Sequence, residues 1–183
     1  MTRHKFKLES GQEYSLKQLF NGENKIVIPD LQRDYCWGDK AWNKDAKNYT
    51  ELVSVFLDSL ISVFKEKPKD KLTLGLIYGY ENPHFSIQLC DGQQRLTTLF
   101  LLLGMINRKT KNSFEQLLIT KSELNDDKEP NLQYAIREST LYFLSDLVCE
   151  FFTKKEIRID EIIKSDWYFR EYDQDASIQS ILC

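Results

Sequence analysis

The chain has 183 residues, 42% apolar and 13% aromatic, enough for one sizeable core or a core with a helical extension. Charged residues make up 29%, and the formal net charge is −3. A domain that grips duplex nucleic acid by bulk charge carries a basic surplus, so any such contact here must be local or lie in another part of a longer protein.

Residues 16–20 read as a short helix with Ser15 as its N-cap, stopped by Asn21 and Gly22. The run from Lys25 to Ile28 reads as a strand, and Pro29, which has no N–H to donate, ends its ladder. The polar and aromatic stretch DLQRDYCW that follows is expected as a loop or extended segment. Thr50 is placed to cap a long helix reaching about Phe64, with Leu52, Val53, Phe56, Leu60, Val63 and Phe64 at three- and four-residue steps. After the turn KEKPKDK, residues 72–80 read as a strand. A turn at Asn82 and Pro83 joins it to a second strand over 85–90, and the two are expected to pair as a hairpin.

Asp91 and Gly92 break that strand, and from Gln93 the pattern is helical through Leu96, Leu99, Phe100, Leu103 and Ile106. Past Leu99 the helix is apolar nearly all round, which predicts a central, buried position. The polar segment 122–130 reads as a loop and a boundary, dividing a core over 1–121 from a helical extension over 122–183. Helices are expected over 132–152 and 157–164. A last helix opens at Ser177, and its abrupt end predicts that the natural protein continues past Cys183.

Cys36, Cys90, Cys149 and Cys183 lie far apart, with no CxxC and no Cys/His cluster, so no zinc site is expected. Thiols behind the polar N-terminus MTRHKFKLES predict a reducing cytoplasm. The longest apolar run, 99–106, is too short to span a bilayer.

The segment LCDGQQRLTTL sets a tight turn between a strand and the buried helix. The first N–H groups of a helix have no acceptor within it, and the helix dipole adds partial positive charge there. Gly92 allows close backbone approach to a ligand. Arg95 stands in the first turn, where a cation is disfavoured unless an anion offsets it, and its fork suits a phosphate or carboxylate. Gln93 and Gln94 offer amides to a base, a ribose or phosphate oxygens, and Thr97 and Thr98 offer hydroxyls one turn on. Asp91 is a candidate Mg2+ ligand, water orienter or helix cap. A purely structural reading has Asp91 as the cap, Gly92 as the turn and Arg95 paired with a surface acid; composition leaves both readings open.

Upstream, IPDLQRDYCW supplies Gln32 and Arg33 as a second polar wall. Tyr35 and Trp37 either stack on a base, for about 1–3 kcal/mol, or pack the loop onto the core. Asp173 and Asp175 are candidates for Mg2+, although capping the next helix is the commoner use of such residues. His4 and His84 have no partner at metal-ligand spacing and are assigned no role.

Together, IPDLQRDYCW, LTLGLIYGY with Gly75, LCDGQQRLTTL and YDQDASIQSIL resemble the signatures of the GmrSD-type restriction endonuclease N-terminal family, or DGQQR domain. The likeness runs from about residue 16 to residue 182. It implies an α+β fold similar to ParB N-terminal and sulfiredoxin domains, with a small sheet, a phosphate-binding loop and a buried helix, followed by the helical extension. It also implies nucleotide binding and nucleoside-triphosphate hydrolysis, coupled to defence against foreign or modified DNA. Carried onto this chain, the DGQQR motif makes Asp91, Gln94 and Arg95 catalytic candidates, with Asp91 the candidate Mg2+ ligand. Gly92 and Gln93 of the same motif, Thr97 and Thr98 beyond it, and Gln32, Arg33, Tyr35 and Trp37 of the first motif are the candidate phosphate and nucleotide binders.

Two departures narrow the expectation. Sulfiredoxins carry a reactive cysteine in the equivalent loop, where this chain has Gln93, so redox chemistry of that kind is not expected. Full-length relatives often add a C-terminal HNH nuclease domain, and with only His4 and His84 this chain is not assigned DNA cleavage. The resemblance thus implies an Mg2+-dependent nucleoside-triphosphate hydrolase domain that meets modified DNA through the full-length protein, with a C-terminal nuclease domain missing here. Two alternatives stay open: a module that recognises modified DNA or backbone phosphate without hydrolysis, and a regulatory or dimerising remnant acting as a homodimer.

Overall fold

Ser15 opens the first helix, α1 (Leu16–Leu19), through a capping box in which its hydroxyl accepts from the Gln18 N–H and the Gln18 side chain accepts from the Ser15 N–H at 2.9 Å. The computed structural model describes residues 8–21, 25–38, 49–67, 69–82, 86–121, 128–154 and 157–183. Strand β1 (Lys25–Ile28) falls on the expected residues and buries Ile26 and Ile28. The loop after Pro29 leads towards α2 (Tyr49–Glu66), which begins one residue before Thr50, so Thr50 lies inside the helix and does not cap it. Val53, Phe56, Leu60 and Val63 of its apolar stripe are half-buried, whereas Leu52 and Phe64 are exposed.

The expected hairpin forms between β2 (Tyr78–Asn82) and β3 (Ser86–Asp91), paired antiparallel. β2 is shorter than the strand expected over 72–80. The carbonyls of Leu74 and Leu76 accept from the Arg95 guanidinium, so that stretch is held by a side chain and not by a neighbouring strand. From β3 the chain passes Gly92 into α3 (Gln93–Lys109), whose first two turns bury Leu96, Leu99 and Phe100; past them the expected full burial does not hold, because Leu101, Leu102 and Leu103 are half-buried and Ile106 is exposed. Farther along, Gly104 admits the Phe152 ring: a Cβ there would lie 2.3 Å from Phe152 Cδ2.

A two-stranded sheet then pairs β4 (Ile119–Lys121) with β5 (Lys128–Pro130). Residues 132–134, expected as helix, instead form β6 (Leu132–Tyr134), which buries Leu132 and Tyr134 beside β1. The main sheet is therefore mixed, in the order β2-β3-β1-β6, with β1 parallel to both β3 and β6. The helix expected over 132–152 starts only after Arg137, as α4 (Glu138–Asp146), and widens into a π-helical turn over Leu147–Phe152. That wider turn, closed by the Thr153 N–H onto the Val148 carbonyl, buries Leu147, Val148, Phe151 and Phe152 together. Two 3-10 turns, Ile159–Lys164 and Arg170–Gln174, lead to α5 (Ala176–Leu182). Asp175 caps α5 by accepting from the Ser177 and Ile178 N–H groups.

The architecture is α+β. One hydrophobic cluster joins Phe20, Ile26, Ile28, Leu89, Leu96, Phe100, Leu132, Tyr134, Phe143, Val148 and Ile178. The division expected at residues 121 and 122 falls between two strands that pair with each other, and this cluster draws residues from both sides of it. Among the described residues no helix is long and apolar enough to cross a membrane. The turn expected at Pro83, residues 122–127 of the loop expected over 122–130, and both histidines lie outside the described residues; the last three residues of that expected loop form β5.

Candidate functional site

Strand β3 ends on Asp91, and Gly92 turns the chain at φ 91° and ψ 4°. This left-handed conformation favours glycine, and a Cβ at Gly92 would also come within 3.1 Å of Ile77 Cγ1. Gly92, not Asp91, is the N-cap of α3, and it has no side chain to bond the first N–H groups. The amides of the first helical turn therefore look outward for acceptors.

Residues 32–37 run beside this helix start and are fastened to it. The Gln94 side chain donates to the Asp34 carbonyl and accepts from the Cys36 N–H, both at 2.9 Å, much as a paired strand would. Gln93 donates to the Arg33 carbonyl. Gln32 donates to the Cys90 carbonyl at 3.1 Å, tying the loop to the end of β3. Deeper in, the Tyr35 hydroxyl meets Thr98 Oγ1 at 2.9 Å, and Thr97 Oγ1 meets the Tyr134 hydroxyl at 2.6 Å. Burial pushes both tyrosine pKa values up.

Between the loop and the helix start lies a cavity of about 130 Å³, lined by Gln32, Arg33, Trp37, Asp91, Gly92, Gln93, Gln94 and Arg95. The two motifs thus meet in one wall, although they are some 60 residues apart in the chain. Tyr35, Thr97 and Thr98 are not part of that wall; they are buried, and their hydroxyls bond the loop and the sheet to α3. The amides of Gln93 and Gln94 border the cavity while bonded to the loop backbone.

The two arginines of the wall differ. Arg95 donates from Nη1 to the Leu74 carbonyl at 2.6 Å and from Nη2 to the Leu76 carbonyl at 2.8 Å, with Asp91 3.9 Å away. Gly75 sits between those carbonyls at φ 92°, where a Cβ would lie 2.1 Å from Arg95 Nη1. Arg33 is exposed, and among the described residues no hydrogen bond or ion pair engages its side chain. Among the described residues Asp91 is the one carboxylate of the wall, and its side chain is 70% exposed. Trp37 is half-buried and meets Phe56 edge-on, with ring centroids 5.5 Å apart.

Asp173 and Asp175 lie outside this wall. Asp173 accepts from the Tyr168 hydroxyl at 3.0 Å, and Asp175 is the α5 cap. Among the described residues no three His, Cys, Asp or Glu side chains are grouped to hold a metal. None of the four cysteines is in a disulfide, and Cys36 and Cys90 are half-buried. Sequence reasoning missed the partners behind the loop. Ser177 Oγ accepts from the Tyr35 N–H at 3.0 Å and donates to Asp34 Oδ1 at 3.2 Å, and Arg137 Nη2 donates to Asp34 Oδ2 at 3.0 Å. These residues are more than 100 positions apart, and only the acidic residue between Arg33 and Tyr35 hints at a fixed counterpart.

The family model for the GmrSD restriction endonuclease, N-terminal domain, matches residues 16–182. No curated protein matches the chain.

Proposed function

Because the chain belongs to the GmrSD restriction endonuclease N-terminal domain family, and so is part of a restriction or phage-defence protein, we propose that its cavity binds the terminal phosphate of a nucleoside triphosphate and supports its hydrolysis. The observation that carries this reading is Arg33, whose side chain has no partner among the described residues, beside the uncapped start of a 17-residue helix. Helix N–H groups and an arginine fork together suit a phosphoryl group. Size points the same way. A cavity of about 130 Å³ is well below the roughly 300 Å³ at which small-molecule pockets begin, so it takes one end of a nucleotide and leaves the rest at the rim.

In this reading Arg33 is the cation that meets charge developing on the phosphoryl oxygens. Arg95 completes the wall while its clamp on residues 74–76 keeps that wall in place. Asp91, at the mouth, would hold Mg2+, which commonly takes one or two carboxylates together with phosphate oxygens and water. The ion would supply charge neutralisation. Gln94 aligns the loop against the helix, and Trp37 offers an aromatic surface to the base. The passage from a small mixed sheet through the Gly92 turn into a helix whose first two turns are buried supports a relation to ParB and sulfiredoxin folds. Four cysteines outside any disulfide fit a reducing cytoplasm.

The test is release of terminal phosphate from each common nucleoside triphosphate with Mg2+, by the wild type and by Arg33→Gln. Loss of a charge-assisted contact worth about 1.5–3 kcal/mol predicts a fall of about ten- to a hundredfold in the variant, with its fold intact. A wild type that neither binds nor hydrolyses any of them contradicts the proposal. Salt-dependent preference for modified over unmodified DNA, without phosphate release, would instead favour a recognition module.

A further inference from the structure

Asp34, the residue after Arg33, is absent from the cavity wall and is fastened on the other side of the loop. Its Oδ2 accepts from Arg137 Nη2 at 3.0 Å and its Oδ1 from Ser177 Oγ at 3.2 Å. The other terminal nitrogen, Arg137 Nη1, lies 3.6 Å from Asp175 Oδ1. Asp175 is already well supplied: the Ser139 and Thr140 hydroxyls donate to its Oδ2 at 2.5 and 2.6 Å, and the Ser177 and Ile178 N–H groups donate to its Oδ1. Its side chain is 2% exposed and sits where the starts of α4 and α5 converge. Among the described residues, Arg137 is the only cation paired with Asp34.

An arginine is suited to this place. Its planar fork spans two carboxylates at once, whereas a lysine presents a single point charge. The bridge thus joins the loop that carries Arg33 to the rigid joint of two helices. The end of the loop also lies against α5, where a Cβ on Gly38 would come 1.9 Å from the Ser180 carbonyl oxygen.

We propose that Arg137 is a positioning residue for the cavity: by clamping Asp34 to Asp175 it fixes the backbone that carries Arg33. This rests on the reading of the cavity as a phosphate site. Without the clamp, Arg33 rides on a loop held by Gln32 on the Cys90 carbonyl, by the amides of Gln93 and Gln94, by the Tyr35 hydroxyl on Thr98 and by Ser177, none of which carries an opposing charge. Each added loop conformer lowers the competent fraction, and the apparent Kd rises by the inverse of that fraction.

The experiment titrates inorganic triphosphate into the wild type, Arg137→Gln, Arg33→Gln and the double variant by calorimetry, and follows amide hydrogen exchange in the same proteins. Arg137→Gln is expected to weaken triphosphate about tenfold alone and less than about twofold in the Arg33→Gln background, because it acts through Arg33. The amides of Tyr35 and Cys36 are expected to exchange faster in Arg137→Gln, while those of β1 keep their protection. An affinity within twofold of wild type, or equal losses in both backgrounds, would overturn the proposal. Should Arg137→Gln fail to fold, Asp34→Asn, which removes the ion pair and keeps an acceptor for Ser177, is judged by the same outcomes. The two failures are separable: a wild type that binds no triphosphate overturns the phosphate reading, and unchanged exchange at Tyr35 and Cys36 overturns the clamp.

Discussion

Arg95 illustrates how a correct electrostatic argument finds an unexpected partner. A cation in the first turn of α3 does need negative charge nearby, and the carbonyls of Leu74 and Leu76 supply it at 2.6 and 2.8 Å. Those carbonyls lie about 20 residues upstream, in a stretch whose composition reads as a strand, so nothing local announces them. Gly75 was legible as a glycine of the pattern, but its purpose, space for Arg95 Nη1, is visible only in three dimensions. Tyr35 likewise carries an aromatic ring suited to stacking, yet its hydroxyl is claimed by Thr98. Arg95→Ala removes two bonds to a charged donor and is expected to cost about 2 kcal/mol, or about 4–8 °C in Tm for a chain of this size. Calorimetric melting checks this; a Tm within about 1 °C of wild type contradicts the clamp.

At the scale of elements, the regular pieces were readable because each has its own local signal. Ser15 with Gln18 marks α1, the run before Pro29 marks β1, and Gly92 marks the start of α3. β6 was not readable: three residues with a single alternation carry no period, and only the parallel edge of β1 makes Leu132–Tyr134 a strand. The π-helical turn was equally hidden, since LVCEFF reads as ordinary buried helix. Its consequence appears at Gly104, where α3 meets the Phe152 ring. Alanine in a helix interior gains about 1 kcal/mol over glycine, but overpacking a buried ring costs about 1–3 kcal/mol. Phe152 is 2% exposed and has little room to move, so the second effect wins. Gly104→Ala is expected to lower stability in urea titration, and a raised midpoint would show that the helices separate freely.

For the molecule as a whole, one core gathers tyrosines whose ionisation it resists. Burial is the leading cause that raises Tyr35, Tyr134, Tyr168 and Tyr172 above the ordinary value of 10.0. Above about pH 10 the unfolded chain releases these protons first, so it binds fewer protons than the native state. Stability is therefore fully present below that pH and falls as pH rises towards the native values. Urea unfolding between about pH 8 and pH 11 is expected to show this decline, with a shallower slope in Tyr35→Phe. A flat profile would mean that these hydroxyls reach solvent. The same core explains why residues from both ends of the chain serve one cavity: α5 braces the loop through Ser177, and β3 delivers Asp91 to its mouth.

The central claim, a phosphate seat formed by Arg33 and the start of α3, is tested most directly by titrating a nucleoside triphosphate with Mg2+ into the wild type and Arg33→Gln and following phosphate release. The account predicts saturable binding and release by the wild type, with loss of about tenfold or more in the variant at unchanged Tm. Equal behaviour of the two proteins, or no binding by either, would contradict it.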